Sequence, residues 1–270
     1  MRVGSASLVG LAVFVGLCPI VSSASVVDVS DDAALQAALR RAVAGTVIRI
    51  APGRYQPGVF ASGLKGAPER PIVIEGADPE KPPLFEGGKV AWQLSDCEHV
   101  ALRNLAVRGQ QANGINIDDG GSFDTPARHI VLEKIRVADV GPQGNFDGIK
   151  LSGVDDFTVR DCTIEGWGGQ AIDMVGCHRG VIESCTFRGK PGFSQSTGPQ
   201  TKGGSSQIAI RRCLFLDAGS RAVNLGGSTG LAYFRPRGAP TALMAPSPGA
   251  CSAARRPRPA SRGRRPAPRS

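Results

Sequence analysis

The chain has 270 residues, with 32 basic and 23 acidic side chains and a formal charge of +9, which points first to an anionic partner such as nucleic acid. The distribution of that charge excludes a nucleic-acid-binding body: nine arginines and no acid lie in residues 235–270, so the rest of the chain sets 23 basic side chains against all 23 acidic ones and has no net attraction for phosphate. Aromatic residues make up only 5% of the chain while glycines number 36, so the core is built from Val, Ile, Leu and Ala.

At the N-terminus, "MRVGSASLVGLAVFVGLCPIVSSAS" places Arg2 before an apolar run over residues 8–21, with Ser22 and Ala24 as small residues at positions −3 and −1 of a cut. Residues 1–24 are expected to be a secretory signal peptide, and the product is expected outside the cytoplasm, extracellular or periplasmic. The run is short for a span of about 20 residues, and no later segment is apolar enough to cross a bilayer, so no membrane partner is expected once the signal is removed. Cys18 is a poor lipid-attachment residue, since Leu17 stands where Gly or Ala is required.

Next, "SDDAALQAALRRAVAG" predicts a helix over about residues 31–44. Ser30 is the N-cap candidate, Asp31 and Asp32 fill the first turn, and Leu35, Ala38, Leu39, Ala42 and Val43 form one apolar stripe ended by Gly45. The segments "TVIRIAPGRY", "RPIVIEGAD" and "VAWQLSDC" follow as short strands.

The middle of the chain repeats. Five lines stack on one another: "HVALRNLAV" from His99, "HIVLEKIRV" from His129, "DFTVRDCTI" from Asp156, "RGVIESCTF" from Arg179 and "QIAIRRCLF" from Gln207. Each is apolar at its second, fourth, seventh and ninth positions, Gly180 being the weak member, and each leads through a Gly-rich turn to a second short strand such as "NGINID", "DGIKLS", "QAIDMV" or "RAVNLG". Runs of three to five alternating residues broken by Gly, Asp and Asn describe strands, and one repeat is too small to enclose a core. Successive coils must therefore hydrogen-bond edge to edge, about 4.8 Å apart. The predicted fold is all-β: one right-handed parallel β-helix domain over residues 25–234, with the helix capping its open end. Cys162, Cys185 and Cys213 share the seventh position with Leu105 and Ile135 and should form an internal ladder; disulfides are one reading in an exported protein, and buried free thiols are the favoured one.

In this order of elements, with the strands "GTVIRIAPGRY" and "RPIVIEGAD" and the "hxhxxCxF" ladders, the chain resembles the pectate-lyase-like superfamily of secreted right-handed parallel β-helix proteins. The resemblance implies a fold and, as the partner, an acidic polysaccharide held in a groove along one face of the solenoid. Its β-eliminating members, similar to alginate lyase and chondroitinase B, imply a lysine base and a following arginine; "QTKGGSSQIAIRRCLFLDAGSRAVNLGGS" offers Lys202 and Arg221 in that order. In such chemistry a base takes the proton beside a uronate carboxylate and a cation stabilises the enolate. Two departures stand out: "GFSQSTGPQT" lacks the carboxylates that hold calcium in those lyases, and Asn224 stands nearest the expected arginine. A glycosidase reading rests on Asn145 and Asp147 of "GNFDGIKLSGVDD", which resembles the "N-T-D-G-I" segment of polygalacturonase-like enzymes. Gly168, Gly169 and Gln170 stand where their Asp-Asp pair belongs, with Asp173 three residues on, and "GCHRG", containing His178, resembles their histidine motif only faintly. A third reading is a non-catalytic carbohydrate-binding or cell-surface β-helix.

An outward polar column is expected on the second strands: Asn116 or Asp118, Lys150, Asp173, Thr201 or Lys202, and Asn224, with Lys150, Asp173 and Asn224 as substrate contacts. No cofactor is expected. Asp118, Asp119 and Asp124 offer oxygens that calcium takes but read as a turn. His99 and His129 should stack at one coil corner and, with no evident cysteine or carboxylate at ligand spacing, are expected to be structural.

After Phe234 the strand periodicity stops, and residues 235–270 carry eight prolines and nine arginines, a composition that does not fold alone. This tail is either a disordered arm or, the favoured reading, a frameshifted end of a longer β-helix; resumption of strand repeats in another reading frame after the Phe234 codon would test that. The protein is expected to be a monomer.

Overall fold

A computed structural model describes residues 24–122 and 125–237, together with the backbone of Ala242–Leu243 and Ser252–Ala254. The expected signal peptide, Asp124 and most of the expected tail lie outside the described residues.

Each coil gives one short strand to each of three parallel sheets. The first sheet stacks Ser25–Val29, Thr46–Ile50, Ile72–Gly76, Glu98–Arg103, Ala127–Glu133, the broken strand Val154–Asp155 and Thr158–Arg160, His178–Glu183 and Ser205–Arg211. The second stacks Arg54–Tyr55, Leu84–Glu86, Ala106–Arg108, Arg136–Val140, Thr163–Trp167, Thr186–Arg188 and Leu214–Leu216. The third stacks Val59–Ser62, Trp92–Ser95, Ile115–Asp118, Ile149–Ser152, Gln170–Val175, Thr197–Lys202 and Asn224–Leu225, about seven turns of solenoid.

The repeat positions map directly onto this architecture. Leu102, Leu132, Val159, Ile182 and Ile210, all at the fourth position, pair in one unbroken inward column of the first sheet. Val107, Val137, Ile164, Phe187 and Phe215 do the same in the second, where the Phe187 and Phe215 rings stack at 5.1 Å. Polar residues begin each line because the chain turns there. His99, His129, Asp156, Arg179 and Gln207 all have φ between 50° and 57°, and Asn104, Lys134, Asp161, Ser184 and Arg212 repeat that left-handed conformation at the next corner. β-Branched residues pay a steric penalty in this region, whereas Asn, Asp and His tolerate it.

Gly180 is explained by its neighbour. A Cβ at that position would stand 2.1 Å from Cζ of Phe157, the larger residue one coil earlier, so the ring fills the volume that glycine leaves. Cys162, Cys185 and Cys213 are free and buried, as are Cys97 and Cys177. Hydrogen bonding to Cys162 raises the thiol of Cys185, and the Cys185 thiol does the same to Cys213.

The N-terminal helix spans Asp32–Arg41, shorter than expected at its C-terminal end. Its N-cap is Asp31, not Ser30: Asp31 is extended (φ −151°, ψ 170°) and its Oδ1 accepts from the Ala34 N–H at 2.8 Å. The chain leaves the helix at Ala42, also extended, so Val43 is exposed while Leu35, Ala38 and Leu39 join the core.

At the other end, Ala242–Leu243 pairs in parallel with Ser205–Ser206, and Ser252–Ala254 with Leu214–Leu216. Arg235, the first residue of the compositional tail, is buried; its guanidinium bonds Asp155 and its N–H donates to Gly203 O at 3.0 Å. This contact holds the short 3-10 turn Leu231–Tyr233 against the third sheet.

Candidate functional site

Because side chains alternate across a strand, the third sheet turns two rows of residues outward. One row is Phe60, Gln93, Asn116, Lys150, Asp173, Gln200 and Asn224 in register. Two residues further along each strand run Ser62, Ser95, Asp118, Ser152, Val175 and Lys202. The expected column is therefore present with one change. Gln200 takes the place given to Thr201 or Lys202, because Pro199 pairs with Ile172, which turns Thr201 inward and puts Lys202 in the second row.

A cleft of about 710 Å³ lies over these rows. The Asp119–Gly121 turn borders it, Lys150 and Ser152 are on its floor, and Phe60 and Tyr233 stand 58% and 60% exposed at its walls. Asp118 Oδ1 accepts from Gly120 N–H and Asp119 Oδ1 from Gly121 N–H, so these acids close a turn with their own backbone. Burial raises the Asp119 carboxyl above its ordinary value.

Four charged groups converge at the cleft's end. Lys150 Nζ lies 2.7 Å from Asp173 Oδ2 and 3.2 Å from Asp147 Oδ2, and Lys202 Nζ lies 3.1 Å from the same Asp173 oxygen. The two carboxylate side chains are sealed at 0% exposure, while Lys150 is 27% exposed and Lys202 9%. The anions are thus sealed, Lys202 is buried with them, and the exposure that remains in the cluster belongs mainly to Lys150. Burial raises the Asp147 carboxyl and the nearby Asp173 charge raises it further, against the pull of Lys150. For Lys150 burial acts downward, but the charges of Asp173 and Asp147 prevail and hold its ammonium above the ordinary lysine value.

Amides extend the network across coils. Asn113 Oδ1 accepts from Asp147 N–H at 2.7 Å and its Nδ2 donates to Asn116 Oδ1 at 3.0 Å. Gln200 Nε2 stands 3.5 Å from Asp173 Oδ1, and Asn224 Nδ2 donates to Gln200 Oε1 and Gly226 O, both at 2.9 Å. Asn113 and Gln200 were not singled out in the sequence; the register rule i, i+2 from Lys202 would have found Gln200.

Lys150, Asp173, Lys202 and Asn224 are thus brought into one network, and Arg221 is not. Arg221 is exposed and bridges Thr197, at the far end of the strand Thr197–Lys202. Five residues at about 3.3 Å each put about 16 Å of strand between them.

For the glycosidase pattern, Asp147 Oδ1 accepts from Gln170 N–H of the next coil at 2.9 Å, so its function in the structure is to tie two coils together. The expected second acid has no room: a Cβ at Gly168 would lie 2.2 Å from Gly141 O, and one at Gly169 2.7 Å from Asp147 Oδ1. His178 is on the first sheet, with Nδ1 2.8 Å from Ser206 Oγ, and burial lowers its imidazole below the ordinary value.

Among the described residues no helix is long and apolar enough to cross a membrane. An alginate lyase from Paenibacillus sp. str. FPU-7 is similar in structure, with a TM-score of 0.61 and 20% identity over 72% of this chain and 67% of that one. The pectate lyase Pel9A gives a TM-score of 0.49 and 12% identity over 88% of this chain and 80% of that one. At these identities the likeness is one of fold. No curated protein matches the sequence. The model of the family described as "Right handed beta helix region" matches residues 92–234, more than half of the chain; the chain belongs to that family.

Proposed function

We propose that this is an exported protein that binds an acidic, uronate-bearing polysaccharide along the third sheet and cleaves it by β-elimination at Lys202. One observation carries the reading: at the cleft's end the carboxylates of Asp147 and Asp173 are sealed while the Lys150 side chain that pairs with both keeps 27% exposure and lines the cleft, with Lys202 buried beside Asp173. A polyanion laid over the coils meets cations there, amide and hydroxyl groups along the rows, and exposed rings of Phe60 and Tyr233 against which sugar faces pack.

In the reaction Lys202 acts as the base that takes the proton beside the uronate carboxylate. The electron pair forms the ring double bond, the bond to the glycosidic oxygen breaks, and that oxygen takes up a proton. Lys150, held charged by Asp147 and Asp173, stabilises the developing enolate charge from a fixed position. Arg221, far along the strand, has no part in this step.

The test is to incubate purified protein with alginate, pectate and glycosaminoglycans, measuring binding by calorimetry and the unsaturated product by its ultraviolet absorbance. Binding with absorbance growth is expected. Binding without new product supports the non-catalytic carbohydrate-binding reading. New reducing ends without absorbance would replace elimination by hydrolysis, and no binding to any uronate polymer would overturn the proposal.

A further inference from the structure

At the corner between the third and first sheets, the left-handed residues His99 and His129 sit one above the other with imidazole rings 4.2 Å apart and 10° from parallel. Glu98, the residue before His99, brings a carboxylate to the same place, and one donor atom from each of the three lies within 4.8 Å of the others. The same ladder continues through Asp156 and Arg179, but those two satisfy each other at 2.6 and 2.9 Å. Neither imidazole nor the Glu98 carboxylate has a hydrogen-bond or ion-pair partner among the described residues.

Two stacked imidazoles are an unusual thing to leave unpartnered. Neutral imidazole is the form that ligates metals. We propose that Glu98, His99 and His129 form a three-ligand site for a divalent cation of the zinc type, clipping two successive coils together just beyond the cleft. Two nitrogens and one carboxylate oxygen are a donor set that zinc takes, with a fourth position left for water. Calcium and magnesium prefer oxygen alone, so the site discriminates against them. Metal–ligand bonds near 2.0–2.2 Å require donors about 3.4 Å apart, and rotation of partly exposed side chains closes the spacing from 4.8 Å.

The test uses untagged full chain, first stripped with chelator and then titrated with zinc chloride by calorimetry while the melting temperature is followed. One equivalent of tight zinc is expected, with a rise of several degrees in melting temperature, since a ligand that binds only the folded state stabilises it, and no rise with calcium chloride. The paired substitution His99→Asn and His129→Asn, chosen because Asn accepts the left-handed conformation, should lose that equivalent and the rise. Glu98→Gln, a milder change, should weaken zinc binding at least tenfold even if the double variant folds poorly. Wild-type protein that binds no zinc, a double variant with the same stoichiometry and affinity as wild type, or Glu98→Gln with unchanged affinity overturns the site.

Discussion

Lys202 reaches diagonally across coils to Asp173: its strand neighbour is Val175, yet its Nζ lies 3.1 Å from Asp173 Oδ2. The side chain leans back into the row that carries Lys150, and this joins Lys202 to the ion-pair network at the cleft's end while Arg221, on the next coil, is at the other end of the strand. Lys202→Ala should reduce lyase activity on the preferred uronate polymer by at least a hundredfold, the scale on which a positioned general base contributes. Arg221→Ala should stay within about twofold of wild type in kcat/KM, a ratio worth under about 0.5 kcal/mol. Equal losses in the two variants would restore Arg221 to the site and undo the assignment.

Among the described residues Lys150 is the one ammonium shared by two sealed carboxylates, so it should be the most costly of the cleft residues to remove. Lys150→Met leaves Asp147 buried without its cation, and the loss expected in urea denaturation is about 3 kcal/mol, as for other broken buried pairs. The folded-state ammonium is held above the ordinary value of about 10.4. Its contribution is therefore complete below that pH and is lost as pH rises through the folded value. The advantage of wild type over Lys150→Met should be level between about pH 8 and 10 and shrink above; an advantage that grows there would contradict the ion-pair account.

Asp147 predicts the opposite end of the pH scale. Burial, with the Asp173 charge, raises its carboxyl above the ordinary value, so the folded chain holds the proton to higher pH than the unfolded one. A raised folded value means a stabilising contribution that is complete below the unfolded value, about 3.9, and lost as pH climbs through the folded one. The stability of wild type relative to Asp147→Asn, whose amide oxygen still accepts from Gln170 N–H, should be greatest near pH 3.5 and fall toward neutrality. A flat difference across that range would mean that Asp147 titrates as it does in the unfolded chain.

How far the sequence carries the reader depends on how local the signal is. Alternation at positions two and four, then seven and nine, defined the inward columns because every coil repeats the same steric problem, and Val100, Ile130 and Ile208 are all buried as that pattern requires. The polar residues that begin each line belong to the same signal, since a left-handed turn selects them. What could not be read was register between strands whose patterns differ. "TGPQTK" carries a proline where its neighbours carry Ile, so Gln200 was passed over in favour of Thr201 or Lys202. Glu98 was missed as a partner for the histidines for a related reason: adjacent residues usually point apart, and only the left-handed turn at His99 brings the two side chains together.

The five described cysteines should resist modification. Cys97 and Cys177 are buried, and burial raises their thiols to about 11 and about 12, so almost no thiolate, the reactive form, exists at neutral pH. The ladder thiols Cys185 and Cys213 are raised by their neighbours in the column. Peptide mapping after brief iodoacetamide treatment at pH 7.5 should find these five unlabelled in native protein and labelled in guanidinium chloride. Native labelling at Cys185 or Cys213 would show that the column opens.

Phe157 and Gly180 make a complementary large–small pair within the apolar columns, and the pairing can be tested by exchange. Adding one methyl at Gly180 drives a carbon to within 2.1 Å of Phe157 Cζ; the ring is buried and has no open side to move into. Overpacking of this kind costs about 1–3 kcal/mol, so Gly180→Ala should lower the urea midpoint by that amount. Phe157→Leu alone should also destabilise, because it leaves a void over the glycine. Together the two changes should cost less than their sum, with a coupling of about 1 kcal/mol or more, the range found for residues in direct contact. Strict additivity would mean that the ring and the glycine do not share one volume, and the weak position in the repeat would then need another explanation.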